Sequence, residues 1–167
     1  MKSHPLDNVD RRLLDLMQQN ARLSLDVLAD LVSLSTPAVQ RRIKRMRDAH
    51  VITGDTVVVS PISVGLTLTL IVTVQLERER SDQIDEFQSA LAREPLVQQS
   101  YYVTGEGDFI IIVLAKNMDE YEALTRRLFF DNHNVRGFKT SVVMGKSFRS
   151  LKVPAVYAAP SNEQDSV

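Results

Sequence analysis

The 167 residues include no cysteine. That absence removes a disulfide framework, a thiolate zinc site and a cysteine nucleophile together. Histidine is nearly as scarce. His4, His50 and His133 fall in the tail, at a helix end and in a loop, with no carboxylate at ligand spacing, so no metal or catalytic role is expected of them. No clustered nucleophile and base stands elsewhere, and the chain does not read as an enzyme. The N-terminus, Met-Lys-Ser-His-Pro-Leu-Asp, lacks the apolar core of a secretion signal. Only one long stretch, Thr56 to Leu76, is free of charge, and it has the length of a membrane span. It also holds Ser60, Pro61, Ser63, Gly65 and Gln75, and its second half alternates strictly, as a strand does. A soluble, cytoplasmic protein with no membrane partner is expected.

A strong excess of either charge is missing too, since the formal net charge is −1, which taken alone argues against a nucleic-acid partner. The distribution argues otherwise. Residues 1–60 carry nine basic side chains against seven aspartates, and Arg41 to Arg47 holds five positive charges and no acid. Such a patch binds phosphate even on a near-neutral protein, because exposed charges more than a Debye length away are screened.

That patch ends a distinctive stretch. Residues 24–47 read as a short helix, a tight turn between Val32 and Ser35, and a second helix with the charge. Ser35 or Thr36 can cap the second helix, and Pro37 suits its first turn because the missing N–H has no intrahelical partner there. Val39, Ile43 and Met46 recur at helical spacing and face a core. Pro37, Gln40, Arg41, Lys44 and Arg45 are left outward, in the layout of a helix-turn-helix reader of double-stranded DNA. Arg42 lies beside the core stripe and reads equally as a structural ion-pair residue or a phosphate clamp. Ser35, Thr36, Pro37, Gln40, Arg41, Arg42, Lys44 and Arg45 form the candidate DNA contact set.

Before this pair, Asp7 caps a helix running to about Asn20, with Val9, Leu13, Leu16 and Met17 inward. Ser24 caps the next helix, with Leu25, Leu28, Ala29 and Leu31 inward. After it, residues 51–59 read as two short strands around Gly54-Asp55, which would complete a winged helix-turn-helix over residues 1–60. A linker, 61–65, follows. From 66 to 152 the order is a strand to Leu76, a helix over 81–93, a strand over 97–104, a turn at 105–107, a strand over 109–115, a helix over 118–130 and a strand over 135–144. This βαββαβ order predicts an α+β fold, a ferredoxin-like sheet with both helices on one face. Asp82, Asp85 and Glu86 in a helix's first turn suit the macrodipole and are structural. The other sheet face should be wet and charged, yet its first and third strands offer no charge, which predicts a homodimer formed sheet against sheet. Residues 153–167, with Pro154, Pro160, Ser161, Asn162 and Gln164, read as a flexible tail.

In order and spacing, Leu6-Asp7-Asn8-Val9-Asp10-Arg11, Arg22-Leu23-Ser24, Leu34-Ser35 with Val39 and Arg42-Ile43-Lys44-Arg45-Met46, Val51-Ile52-Thr53-Gly54, Val103-Thr104-Gly105-Glu106-Gly107-Asp108-Phe109 and Thr140-Ser141-Val142-Val143 make a joint pattern. Over residues 6 to about 152 it resembles the Lrp/AsnC family of transcription regulators, the feast/famine regulatory proteins. The resemblance implies an N-terminal DNA-binding domain and a C-terminal domain that oligomerises and senses amino acids. It also implies dimers that assemble further, often to octamers. It maps influence on the effector to Tyr102, Thr104, Gly105, Gly107, Asp108, Met118, Thr140 and Ser141. Read from its residues alone, Gly105-Glu106-Gly107-Asp108 is first a hairpin turn, and it is the resemblance that brings level with it a site whose N–H groups hold a carboxylate while Asp108 holds an ammonium. The chain departs from the family at His50, where glycine is usual and a positive φ is needed, and at Asp55, where tyrosine is common.

The leading expectation is a sequence-specific transcription regulator that responds to an amino acid or related metabolite, with no other cofactor. The alternatives are an architectural DNA-binding protein of weak sequence preference without a ligand, and an enzyme on the ferredoxin-like domain.

Overall fold

The computed structural model describes residues 5–145, 148 and 150–156. His4 and the tail residues Pro160, Ser161, Asn162 and Gln164 lie outside the described residues. The chain forms two compact units. One is built from the chain up to Val57 and its C-terminal return after Phe148; the other spans Val58–Phe148.

The first unit contains α1 (Asn8–Gln19), α2 (Leu25–Val32) and α3 (Thr36–Asp48). Asp7 and Asp10 start α1 as a reciprocal capping box, each carboxylate accepting the other's backbone N–H at 2.8 and 3.3 Å. Ser24 caps α2 by accepting from Val27 N at 3.3 Å. Leu13, Leu28, Ala29, Val39, Ile43 and Met46 close the core. Leu31 does not join them and is 43% exposed. The helical stripe of α2 is Leu25, Leu28, Ala29 and Val32, at positions i, i+3, i+4 and i+7, and Leu31 falls off it. Ser33 takes a left-handed conformation with φ 55° in the turn before α3. His50 has φ 55° as well, and the N–H groups of His50 and Val51 close the end of α3 on Arg47 O and Met46 O. The usual glycine is therefore replaced by a side chain that tolerates the region at some cost.

Residues 51–59 form no strand, in contrast to the two expected. Val57, Val58 and Val59 are 75%, 93% and 56% exposed. An isolated two-stranded hairpin is marginal in water, and Asp55 is drawn instead to Arg47 at 2.9 Å. The C-terminal return also differs from its expectation. Val153 and Ala155, read from composition as part of a loose tail, are bonded through their main chain to Gln18, Asp15 and Arg11 of α1.

The second unit opens with a 3-10 turn at Ile62–Val64 closed by Gly65 at φ 84°. It continues through β1 (Leu68–Leu76), α4 (Ser81–Arg93), β2 (Val97–Tyr102), β3 (Phe109–Ala115), α5 (Met118–Thr125) and β4 (Val135–Val142). The strands are antiparallel in the order β2-β3-β1-β4, as the βαββαβ pattern requires. Alternate residues of the central strands, Leu70, Val72, Val74 and Leu76 on β1 with Phe109, Ile111, Val113 and Ala115 on β3, are buried under Phe87 and Leu91 of α4 and Tyr121 and Leu124 of α5. Instead of one helix to 130, α5 passes into a π-type turn at Arg126–Phe130. The wider turn lets the consecutive Leu128 and Phe129 both reach the core, where Phe129 stacks 4.7 Å from Phe138. On the opposite face of the sheet, β1 and β3 present Thr69, Ile71, Thr73, Ile110, Ile112 and Leu114 without a charge, and β4 adds Lys139 at its margin.

Candidate functional site

The helix that carries the basic run is positioned by its own sequence. Ser35 is the N-cap residue by conformation but its hydroxyl makes no cap bond. Thr36 donates instead to Asp26 Oδ1 of α2 at 2.7 Å, pinning the start of α3 to the preceding helix. Pro37 occupies the first turn, where no N–H is needed. From there Pro37, Gln40, Arg41 and Lys44 follow one exposed stripe while Val39, Ile43 and Met46 are buried behind it.

The cations of α3 fall into two groups. Arg42 Nη1 bonds Asp7 Oδ2 at 2.6 Å and Asp10 Oδ1 at 2.8 Å, while Arg45 Nη2 reaches the other Asp10 oxygen at 2.8 Å. The Asp10 side chain is only 1% exposed, so its charge is held by two guanidinium groups rather than by water. The Asp10 N–H first, and then the Arg42 side chain, hold the Asp7 carboxyl below its ordinary value. Asp7 and then Asp10 raise Arg42 in turn. Arg42 thus has the structural half of its two readings realised, and Arg45, read as turned wholly outward, has one end anchored in its own subunit. The second group is looser. Lys44 meets Asp48 at 2.6 Å across an exposed i,i+4 pair, and Arg47 meets Asp55 at 2.9 Å. Arg41 is exposed and is the one α3 cation without a partner among the described residues.

Asp10 was missed as an anchor by the sequence reading. The signal was present, since Asp10, Leu13 and Met17 share the inward stripe of α1, and an acid on such a stripe needs a cation opposite it.

The residues mapped to the effector are spread along the sheet. Tyr102 ends β2 and donates to Glu79 at 3.0 Å, and that bond, more than burial, raises its hydroxyl above the ordinary tyrosine value. Beyond it the chain turns through Thr104, Gly105 and Glu106, with Gly105 at φ 134°, a conformation open to glycine. Gly107 is buried. A Cβ there would stand 2.4 Å from Thr73 Cγ2, so the turn is seated directly on β1. Asp108 fixes that seat. Its N–H donates to Val74 O at 2.9 Å and its Oδ2 accepts from Leu76 N at 2.6 Å, where β1 loses register with β4. One oxygen of the carboxylate read as holding an ammonium is therefore engaged by β1, and Val103 N–H closes the turn on Asp108 O at 2.9 Å.

Met118, Thr140 and Ser141 lie elsewhere. Met118 begins α5, three residues after Ala115, whose strand partner is Leu68. Thr140 and Ser141 pair with Val72 and Ile71. Thr140 meets the Tyr121 hydroxyl on the helix-covered side, and burial raises that phenol despite the opposing effect of this bond. Ser141 alternates to the open side. Eight residues of β1 separate the levels of Met118 and Asp108, about 25 Å at strand rise. Within one chain Asp108 and Met118 do not reach one small molecule. No group of three or more metal-ligating side chains is found among the described residues, and no helix among them is long and apolar enough to cross a membrane.

Residues 6–47 match the model of the AsnC-type helix-turn-helix domain, and residues 69–153 match that of the Lrp/AsnC ligand binding domain. The chain belongs to the Lrp/AsnC family. It is a DNA-binding transcription regulator, and the family is not enzymatic. An uncharacterized HTH-type transcriptional regulator of Sinorhizobium fredii is 50% identical over 149 residues, covering 89% of this chain and 88% of that one. The DNA-binding transcriptional activator DecR of Escherichia coli is 32% identical over 123 residues, 74% of this chain and 81% of its own. Among solved structures, a transcriptional regulator of Neisseria meningitidis in complex with L-Met superposes with a TM-score of 0.82 at 26% identity, covering 90% of this chain and 97% of that one.

Proposed function

We propose that this Lrp/AsnC regulator recognises particular DNA sequences through the exposed stripe of α3, and that a bound amino acid or related metabolite shifts its DNA affinity or assembly. Gln40, Arg41 and Lys44 are the direct contacts, with Ser35, Thr36 and Pro37 at the helix start close to the duplex. Arg45 serves phosphate with its unanchored edge, and Arg42 holds the helix in place. The observation that carries this reading is Arg41, exposed and unpartnered at the centre of the stripe, beside a Lys44 whose exposed ion pair is worth little and yields readily to phosphate.

The ligand half of the reading rests on the ligand-binding domain and on a solved neighbour in complex with L-Met. Because Asp108 and Met118 stand at separate levels of the sheet, a site using both is completed by a second chain. The uncharged sheet face supports a homodimer, and further assembly, to an octamer in the family pattern, would bring the two levels of neighbouring chains together. An effector acts here only by binding one assembly state better than another.

The test uses a duplex selected by the wild-type chain from a random pool. Fluorescence anisotropy should show selected over random DNA favoured at least a hundredfold at physiological salt. R41A with K44A should weaken binding about tenfold or more and flatten the salt slope by about two charges. Unchanged affinity rejects the assigned stripe, and equal binding to random DNA leaves the architectural alternative. Thermal-shift screening against the amino acids, followed by light scattering with and without the best hit, tests the effector. No shift with any of them rejects an amino-acid ligand.

A further inference from the structure

The polar flank of α1 does something that neither DNA contact nor ligand binding uses. Arg11, Asp15 and Gln18 form a row at i, i+4 and i+7 on that helix. The Gln18 carboxamide takes both main-chain groups of Val153, accepting from its N–H at 2.7 Å and donating to its C=O at 2.9 Å, as a neighbouring strand would. Two residues on, Ala155 N–H donates to Asp15 Oδ1 at 3.2 Å and Ala155 C=O accepts from Arg11 Nη1 at 3.1 Å. Every main-chain donor and acceptor of both residues is satisfied by α1 side chains. Between them stands Pro154, which has no N–H to leave unpaired and whose fixed φ lowers the entropy lost on docking.

None of this reading passes through the side chains of the docked segment. Leu151, Val153 and Val156 are 79%, 66% and 59% exposed. The helix row recognises extended backbone, and composition gives no hint of it.

We propose that the Arg11-Asp15-Gln18 row is a receptor for extended main chain, and that its occupant is this chain's own segment around Val153 to Ala155, which clasps the DNA-binding unit. The chain crosses between its two units at Val57/Val58 and again after Phe148. With the clasp closed, the DNA-binding unit is held by two connections instead of one. The clasped helix is also the one whose Asp7 and Asp10 hold Arg42 and Arg45 of α3, so the clasp and the recognition helix share a support.

Hydrogen exchange on the full chain tests the receptor. The amides of Val153 and Ala155 should exchange at least tenfold more slowly than unstructured chain, and Gln18→Ala should remove that protection. Val153→Thr, which alters only an exposed side chain, should keep it. Unprotected amides in the wild type, protection that survives Q18A, or equal loss in V153T each overturn the proposal. Ownership is read separately. Because the protein has no cysteine, Gln19→Cys with Val153→Cys and a short bis-maleimide should give a product of monomer size, whereas a dimer-size product assigns the segment to a neighbouring chain and overturns the own-chain clasp. In NMR relaxation, amides of α1 to α3 should tumble faster in Q18A than in wild type. Identical tumbling in the two removes the clasp's role as a second connection.

Discussion

The DNA-binding unit buries a carboxylate under its recognition helix, whereas the ligand unit buries apolar side chains under its sheet. Asp10 and Thr125 are the buried polar residues among those described, and Thr125 is satisfied within its own helix by Glu122 O at 2.8 Å. In the first unit the orientation of α3 depends on charge, because hydrophobic contacts from Val39, Ile43 and Met46 are non-directional and allow some roll about the helix axis, while a carboxylate gripping Arg42 and Arg45 from one point does not. In the second unit orientation depends on shape, with β1 and β3 packed under Phe87 and Phe129, and the Phe87 ring edge-on to Phe109 of β3 at 5.1 Å. Electrostatic definition ties down two cations of α3 and leaves Arg41 and Lys44 on its exposed stripe, as the proposed DNA contact requires.

The sharpest way to break this contrast is Asp10→Asn, which keeps the volume and removes the charge. It leaves two guanidinium groups facing a neutral amide. Because both arginines also reach solvent, the cost should be about 3 kcal/mol, at the lower end for breaking a buried pair. Chemical denaturation followed by NMR peaks of each unit should show the α1 to α3 signals lost at lower denaturant while the sheet signals hold their midpoint. A loss below about 0.5 kcal/mol would mean that the apolar core alone fixes α3.

The matching change in the ligand unit is Gly107→Ala. The added methyl would meet Thr73 Cγ2 at 2.4 Å and Val74 O at 3.2 Å, and neither a β-branched side chain on a central strand nor its backbone can retreat far. About 2 kcal/mol should be lost, this time from the sheet signals alone. The Asp108 to Leu76 bond, which closes the same turn, should weaken with it and appear as faster exchange of the Leu76 amide. Alanine at Gly105, where nothing lies within 4 Å, separates backbone strain at φ 134° from this steric effect.

Much of this was legible in the residues. Helix starts at Asp7 and Ser24, the turn before α3 and the βαββαβ order all follow from capping, periodicity and punctuation, which are local properties of the chain, while the left-handed His50 was implied by the family resemblance. What escaped was non-local. The strands expected after His50 had the right propensity but no partner, because Asp55 is turned toward Arg47. Arg45 sat on the outward side of a helical wheel, and only the proximity of α1, 35 residues away in sequence, reveals Asp10 as its anchor. The docking of Val153 and Ala155 was invisible because it uses main-chain atoms that every residue has. At the turn, composition showed a glycine-rich hairpin, and contact with β1 showed that Asp108 is needed to close it.

The smallest expected effect concerns the outer member of the same network. The Asp10 N–H and the Arg42 side chain favour ionised Asp7 in the folded state, so its carboxyl titrates below its ordinary 3.8. A lowered folded value means that the unfolded chain takes up the proton first. The stability contributed by Asp7 is therefore fully present above 3.8 and fades as pH falls through the folded value. The Asp7 side chain is 52% exposed, which screens the pair and keeps this contribution to less than about 1 kcal/mol. Denaturation midpoints of the α1 to α3 signals in a pH series should fall on the acid side, and Asp7→Asn should flatten that fall without touching the sheet signals. An equally steep acid fall in D7N would leave the capping carboxylate as a local stop for α1 with no electrostatic hold on the recognition helix.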